Sequence, residues 1–251
     1  MNTKRKILVI GRHGDTPKGV QFTDPSYDSI TPESVGRLYA NAGRVFGPFV
    51  DESKIGLGNT FVRHSNKQRT KYTAQAMLAG AFALQPVPQS YEELDGLGFG
   101  NARISLDDRL SYEHMKFHDE ASQRETAEHY IANWIANPDM TEYKGAAITP
   151  YRDALRAAKS TLRDSVLGLT EEEKYIGFLT SHASIAEAVV FSALQPVETK
   201  DSFNFGEIGG PFEREGFGTL VLDYNEGSGL YQARFERNGQ NYDVDLQELM
   251  N

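Results

Sequence analysis

The chain contains no cysteine in its 251 residues. That absence excludes disulfides, thiolate nucleophiles, Cys-ligated zinc and iron–sulfur clusters. Long hydrophobic runs are also missing from the N-terminus. Lys4, Arg5 and Lys6 precede an apolar stretch, ILVI, that stops after four residues at Gly11. The run is too short for a signal-peptide core or a membrane span, so a soluble cytoplasmic protein without membrane partners is the expectation. Positive charge is in deficit as well: 26 Lys and Arg face 35 Asp and Glu, a formal net charge of -9. Such a balance argues against nucleic acid as a partner. It leaves room for an anionic small molecule, because a local basic pocket can sit in an acidic chain.

What the sequence has is core material. Hydrophobic residues make up 39%, with 14 Phe and 12 Tyr, enough for one large domain over residues 1–251. Residues 6–11, KILVIG, read as a buried strand ended by glycine. Residues 31–46 read as a helix with Thr31 as N-cap and Pro32 at its first position. NTFVR, 59–63, reads as a second strand, and the helix after it takes Ser65 as N-cap. PVPQSYEEL contains a short extended segment before the glycine-rich DGLGFGNAR. From Leu106 to about Pro138 the chain reads as polar, His-rich helix, the body of a cap-like insertion at about 101–145. A further helix starts at Thr149 and Pro150 and closes at Gly168. KYIGFLTS is a buried strand, and SIAEAVVFSALQ an apolar helix after it. The last fifty residues read as strands joined by tight turns, with Asn238-Gly239 as a hairpin signal. Alternating strands and helices predict an α/β fold: a three-layer α/β/α sandwich with a mostly parallel central sheet, helical insertion and strand-rich C-terminus.

Three strand–turn–helix junctions each deliver a cation or an imidazole. Arg12 and His13 follow the first strand, where active residues gather in open α/β sheets, and Gly11 and Gly14 flank them. His182 follows the strand KYIGFLTS, next to backbone N–H groups of a helix start that suit an anion. Arg69 lies in the first turns of the helix after the second strand.

Together these segments carry a resemblance. IGRHGDT resembles the Arg-His-Gly signature of the histidine phosphatase superfamily, the phosphoglycerate-mutase-like proteins. SNKQRTKYTA is similar to that family's Ser-x-x-x-Arg…Thr-Ala segment at Ser65, Arg69, Thr73 and Ala74. TSHAS resembles its second-histidine turn at Ser181 and His182. The order of the three also agrees, over about residues 6–195. The resemblance implies a phosphatase in which His13 attacks phosphorus and becomes phosphohistidine. Arg12, Arg69 and His182 would surround the phosphoryl oxygens, with Thr16 and the backbone N–H of Ala183 adding hydrogen bonds. Fixed cations would stabilise the developing charge without a metal or other cofactor. The partners implied are a small phosphorylated substrate and inorganic phosphate as product or ligand. Exposed strand edges would also allow a homodimer.

The sequence departs from the family pattern in three places. The general-acid glutamate of one branch falls on Gly96. Asp95 is the nearest carboxylate and the expected acid, with Glu93 and Glu92 as alternatives. The acid that follows the second histidine in another branch is replaced by Ala183, and an asparagine common after the Arg-His-Gly turn by Gly19. A phosphoglycerate-type phosphomutase and a silent phosphate-binding protein of the same fold are the competing readings. His114 and His118 share a helical face but lack the acidic partner of a helical zinc pair. His64, beside Ser65, and Arg214 near the C-terminus are candidates for substrate contact. Trp134 and Tyr130, at helical spacing, read as packing residues.

Overall fold

The structure is a computed structural model that describes residues 5–20, 24–111, 133–134, 136–143, 146–171, 173–182, 185–194 and 212–250. The run ILVI lies in strand β1 (Arg5–Arg12), and its residues Ile7 to Ile10 are all buried. β-branched residues buried on both faces suit a central strand flanked by helices. β1 pairs in parallel with the strand of residues Ile176–Ser181, which itself pairs in parallel with β2 (Thr60–His64). β2 in turn pairs in parallel with β3 (Arg103–Leu106). A short hairpin, β4 (Glu142–Tyr143) and β5 (Ala146–Ala147), stands apart, so the strand Ile176–Ser181 is β6. On the other side of β1, strands β7 (Phe217–Asn225), β8 (Leu230–Arg237) and β9 (Gln240–Val244) run antiparallel. The order is β3-β2-β6-β1-β7-β8-β9. The sheet is thus mixed, with a four-stranded parallel half that the strand-rich C-terminus extends.

Alternation along β1 sends Ile7 and Val9 to one face and Leu8 and Ile10 to the other. The first face packs on α1 (Pro32–Ser53) and α2 (Gln68–Ala81) through Val35, Leu38, Phe46, Met77 and Leu78. α3 (Tyr91–Gly96) adds Leu94 to this layer. The second face packs on α4 (Tyr151–Glu171) and α5 (Ile185–Leu194) through Ala158, Leu162, Val166, Val189 and Val190. The short α6 (Leu246–Met250) closes that side with Leu249. These are the three expected layers.

Several boundaries differ from the sequence reading. Thr31 caps α1 as expected, accepting from Ser34 N at 3.2 Å, with Pro32 in the first turn. The helix then runs through Pro48 to Ser53, because buried Ala42, Phe46 and Val50 continue its apolar stripe. α4 passes Gly168 to Glu171, with Leu169 in the core. The stretch expected to be extended before DGLGFG contains α3, capped by Ser90, whose Oγ accepts from Glu93 N. Leu106, expected to start a helix, ends edge strand β3. Asn238 and Gly239 turn the β8–β9 hairpin at φ of 50° and 75°, as Asn-Gly pairs do. His114, His118 and Tyr130 lie outside the described residues. Trp134 is buried, donates Nε1–H to Thr149 O at 2.7 Å and meets the Tyr151 ring edge-on at 5.1 Å. Among the described residues, no helix is long and apolar enough to cross a membrane.

Candidate active site

Parallel pairing brings the C-terminal ends of four strands to one side. The registers Arg12 with Ser181, His64 with Thr180 and His64 with Leu106 align those ends. The chain therefore leaves β1, β6 and β2 at neighbouring points carrying His13, His182 and Ser65.

His13 extends the β1–β6 ladder by one bond, its N–H donating to Ser181 O at 2.9 Å. Its side chain is only 8% exposed. Nδ1 lies 2.8 Å from Gly14 O. A carbonyl can only accept, so Nδ1 carries the proton and Nε2 of the neutral ring holds the lone pair. Burial holds the His13 pKa well below its ordinary value, and the guanidiniums of Arg69, Arg12 and Arg214 push the same way against the Gly14 bond. The ring is therefore neutral at pH 7, with Nε2 available as a nucleophile.

The turn after His13 is pinned from two helices. Gly14 N–H donates to Thr73 Oγ1 at 2.8 Å, and Thr73 Oγ1 donates to Arg69 O at 2.7 Å. Asp15 N–H donates to Ser34 Oγ at 3.0 Å. A Cβ on Gly14 would stand 2.3 Å from that same Ser34 Oγ, so only glycine fits. Gly19, which stands where the family pattern has asparagine, sits at φ +71° in the left-handed region, where glycine is favoured. Thr16 is buried on the same turn.

Arg69 is buried in the first turn of α2. Its Nη1 lies 3.3 Å from Asp28 Oδ1, and Tyr27 faces its guanidinium, ring centroid 5.5 Å from Cζ. The other Asp28 oxygen accepts from Gln68 N at 3.1 Å. Asp28 thus satisfies both Arg69 and the N-terminus of α2. Arg12 donates from Nη1 to Phe212 O at 2.9 Å.

His182 is 1% exposed, and its ring centroid lies 5.2 Å from that of His13, at 63°. Its Nε2 lies 2.8 Å from Ser65 Oγ. Thr70 Oγ1 gives its proton to a carbonyl, closest at Lys67 O, 2.6 Å. Ser65 Oγ–H is then the donor to Thr70 Oγ1 at 3.0 Å, and Ser65 Oγ accepts from His182 Nε2–H. This corrects the expected role of Ser65. The residue at the N-cap of α2 is Lys67, without a side-chain bond, and Ser65 orients the second histidine instead. Ser181 Oγ donates to Leu110 O at 2.6 Å and ties the same turn to the chain after β3.

The expected acids have partners of their own. Asp95 ends α3, with its side chain 47% exposed. It pairs with Lys71 Nζ at 2.8 Å and accepts from Tyr72 Oη at 3.2 Å. Glu93 accepts from Gln89 N at 2.8 Å, and Glu92 is exposed. His64 is half-buried and donates Nδ1–H to Ser65 O at 2.7 Å; burial lowers its pKa. Ala183 lies outside the described residues. Asp28, absent from the sequence reading, is the carboxylate that the fold brings to Arg69. Nothing in PSYD marks it, because the contact joins residues 41 positions apart in sequence. His13, Arg12, Arg69 and His182 do converge, and Arg214 joins them.

This geometry sits on a fold with solved counterparts. A protein described as mycobacterial hydrolase 2 aligns over 98% of this chain and 95% of its own, with a TM-score of 0.52 at 16% identity. The native structure of mycobacterial glucosyl-3-phosphoglycerate phosphatase aligns over 96% and 99%, with a TM-score of 0.52 at 13% identity. The same phosphatase in complex with VO3 aligns over 92% and 97%, at 0.51 and 15%. The chain therefore shares the fold of these solved structures. No family model and no curated protein matches the sequence.

Proposed function

We propose that this chain is a phosphomonoesterase that works through a phosphohistidine on His13, with no metal in the chemical step. One observation carries the reading. A buried, neutral imidazole has its Nδ1–H fixed on Gly14 O, which leaves Nε2 as nucleophile beside two arginines and a second histidine. Nε2 attacks phosphorus, the N–P bond forms and the ester P–O bond breaks. Arg12 and Arg69 offset the charge on the phosphoryl oxygens, as guanidinium forks do, and His182 is assigned as a third ligand of the phosphoryl group. Thr16 and the Ala183 N–H are assigned to the same oxygens. The leaving oxygen takes a proton assigned to Asp95 in its acid form, free of Lys71 and Tyr72, and the carboxylate left behind regains one from the water of the next step. Water then attacks phosphorus and frees both His13 and phosphate. VO3 in a phosphatase of the same fold agrees with a site built for a phosphoryl group.

The test is phosphate release from para-nitrophenyl phosphate in EDTA by wild type and His13→Ala. Wild type turns over and the variant loses about 10³-fold or more, as expected on deleting a nucleophile. Equal activity in the two overturns the mechanism. A thermal shift with vanadate but no turnover in wild type identifies a silent phosphate-binding protein instead. Phosphoryl transfer within one metabolite, without net phosphate, identifies a mutase.

A further inference from the structure

Residues 212–216 form a loop clipped to the His13 turn along its length. Arg12 donates from Nη1 to Phe212 O at 2.9 Å and from its backbone N–H to Gly216 O at 3.0 Å. Glu215 N–H donates to His13 O at 3.3 Å, and Gly216 N–H to Glu213 O at 2.9 Å. The Arg237 guanidinium lies 3.9 Å over the ring of buried Phe212. The Glu215 carboxylate takes both Arg37 Nε at 2.9 Å and Arg37 Nη2 at 2.5 Å. So the loop holds a fixed place relative to the nucleophile.

The loop's one guanidinium is Arg214. Its Nη1 lies 3.6 Å from Asp15 Oδ1, beyond a hydrogen bond, and its side chain is 34% exposed. Arg37 holds the other Asp15 oxygen at 2.8 Å. Asp15 and Glu215 are therefore both engaged by Arg37, and among the described residues Arg214 has the loose Asp15 contact as its ion pair. Arg12 bonds Phe212 O and Arg69 pairs with Asp28. Arg214, more exposed than Arg69, is positioned by the loop yet lightly held.

We propose that Arg214 is a specificity-determining residue that receives a second anionic group of the substrate, beside the phosphoryl group that His13 takes. The substrate class is then a phosphomonoester with a carboxylate or further phosphate near the ester. Arg214 exchanges its Asp15 contact for that group, and the guanidinium fork reads either anion in bidentate fashion. The inference rests on the phosphatase reading above and adds the chemistry of the leaving group.

The test is calorimetric binding in the His13→Ala background, where ligand is not consumed. The probes are phenyl phosphate, its ortho-, meta- and para-carboxyphenyl analogues and meta-phenylene bisphosphate. At least one probe with a second anionic group binds about tenfold tighter than phenyl phosphate, which corresponds to about 1.4 kcal/mol. Adding Arg214→Gln removes that preference, while Arg214→Lys keeps part of it. The carboxyphenyl and bisphosphate arms tell which anion is read. Phenyl phosphate binding by the same variant reports an intact pocket. Equal binding of all probes, or equal weakening of all by Arg214→Gln, overturns the proposal. Binding with the expected preference but no phosphate release by wild type overturns the phosphatase reading alone. No binding by any probe overturns both.

Discussion

The two halves of the sheet contrast in burial and in chemistry. β6, in the parallel half, is buried at all six positions, whereas β9 is buried at one of five and β8 alternates. Parallel strands covered by helices on both faces are continuous apolar runs, and antiparallel strands at a sheet margin keep one wet face. The same difference governs chemistry. All parallel strands end on one side, so β1, β2 and β6 hand over His13, Ser65 and His182 together. The antiparallel strands end on alternate sides and reach the site only through the loop before β7. On the proposed reading the parallel half supplies the groups that act on phosphorus, and the antiparallel half contributes through the loop that carries Arg214.

Substitutions sharpen that contrast. The largest effect after His13→Ala belongs to Arg69→Gln, which removes a buried donor from the phosphoryl site and lowers kcat about 10²–10³-fold on any monoester. It also moves the pH profile. Arg69 is among the cations that disfavour protonated His13, so its loss raises the His13 pKa. The acidic limb, where activity falls as Nε2 takes a proton, shifts to higher pH. A profile that keeps its acidic limb with kcat reduced would separate Arg69 from His13. Next comes Asp95→Asn. With an alkyl phosphate, whose alkoxide needs a proton, kcat falls about 10²-fold, while para-nitrophenyl phosphate changes little. Equal effects on the two leaving groups would remove Asp95 from the acid role. The smallest effect belongs to the antiparallel half. Leu230 starts β8 at 57% exposure, and Leu230→Ser changes unfolding free energy by no more than about 0.5 kcal/mol, with turnover intact. A large loss in thermal denaturation or turnover would show that this margin is coupled to the site.

Depressed His13 protonation also bears on stability. With its folded pKa below the unfolded value, the unfolded chain takes up the proton first as pH falls. The contribution of this site to stability is present above the ordinary histidine range and lost as pH drops through it.

The legible parts of the molecule were those set by local pattern. ILVIGRHG fixes a buried strand and the point where it ends, and the same holds for KYIGFLTSH. Thr31-Pro32 starts α1, and Asn238-Gly239 turns the last hairpin. Misreadings arose where tertiary contacts override local signals. Ser65 has the chemistry of an N-cap, but its hydroxyl serves His182 from the neighbouring strand end. Gly168 looks like a stop, but Leu169 continues into the core. Asp28 and Arg214 were harder still, since each meets the site from a loop distant in sequence. Arg214 stood in the sequence as one rim candidate, and only the clip between residues 212–216 and the His13 turn assigns it a place. Asp95 is the carboxylate next to Gly96 in sequence, and its bonds to Lys71 and Tyr72 arise from the packing of α3 on α2.

The central claim is a covalent intermediate on one ring nitrogen. The most direct measurement is a rapid alkaline quench of wild type with substrate, followed by intact-mass and peptide analysis, with His13→Ala beside it. The account predicts one base-stable phosphoryl group on His13 in wild type and none in the variant. A phosphoryl group on another residue, or turnover with no phosphoenzyme at any quench time, would contradict it.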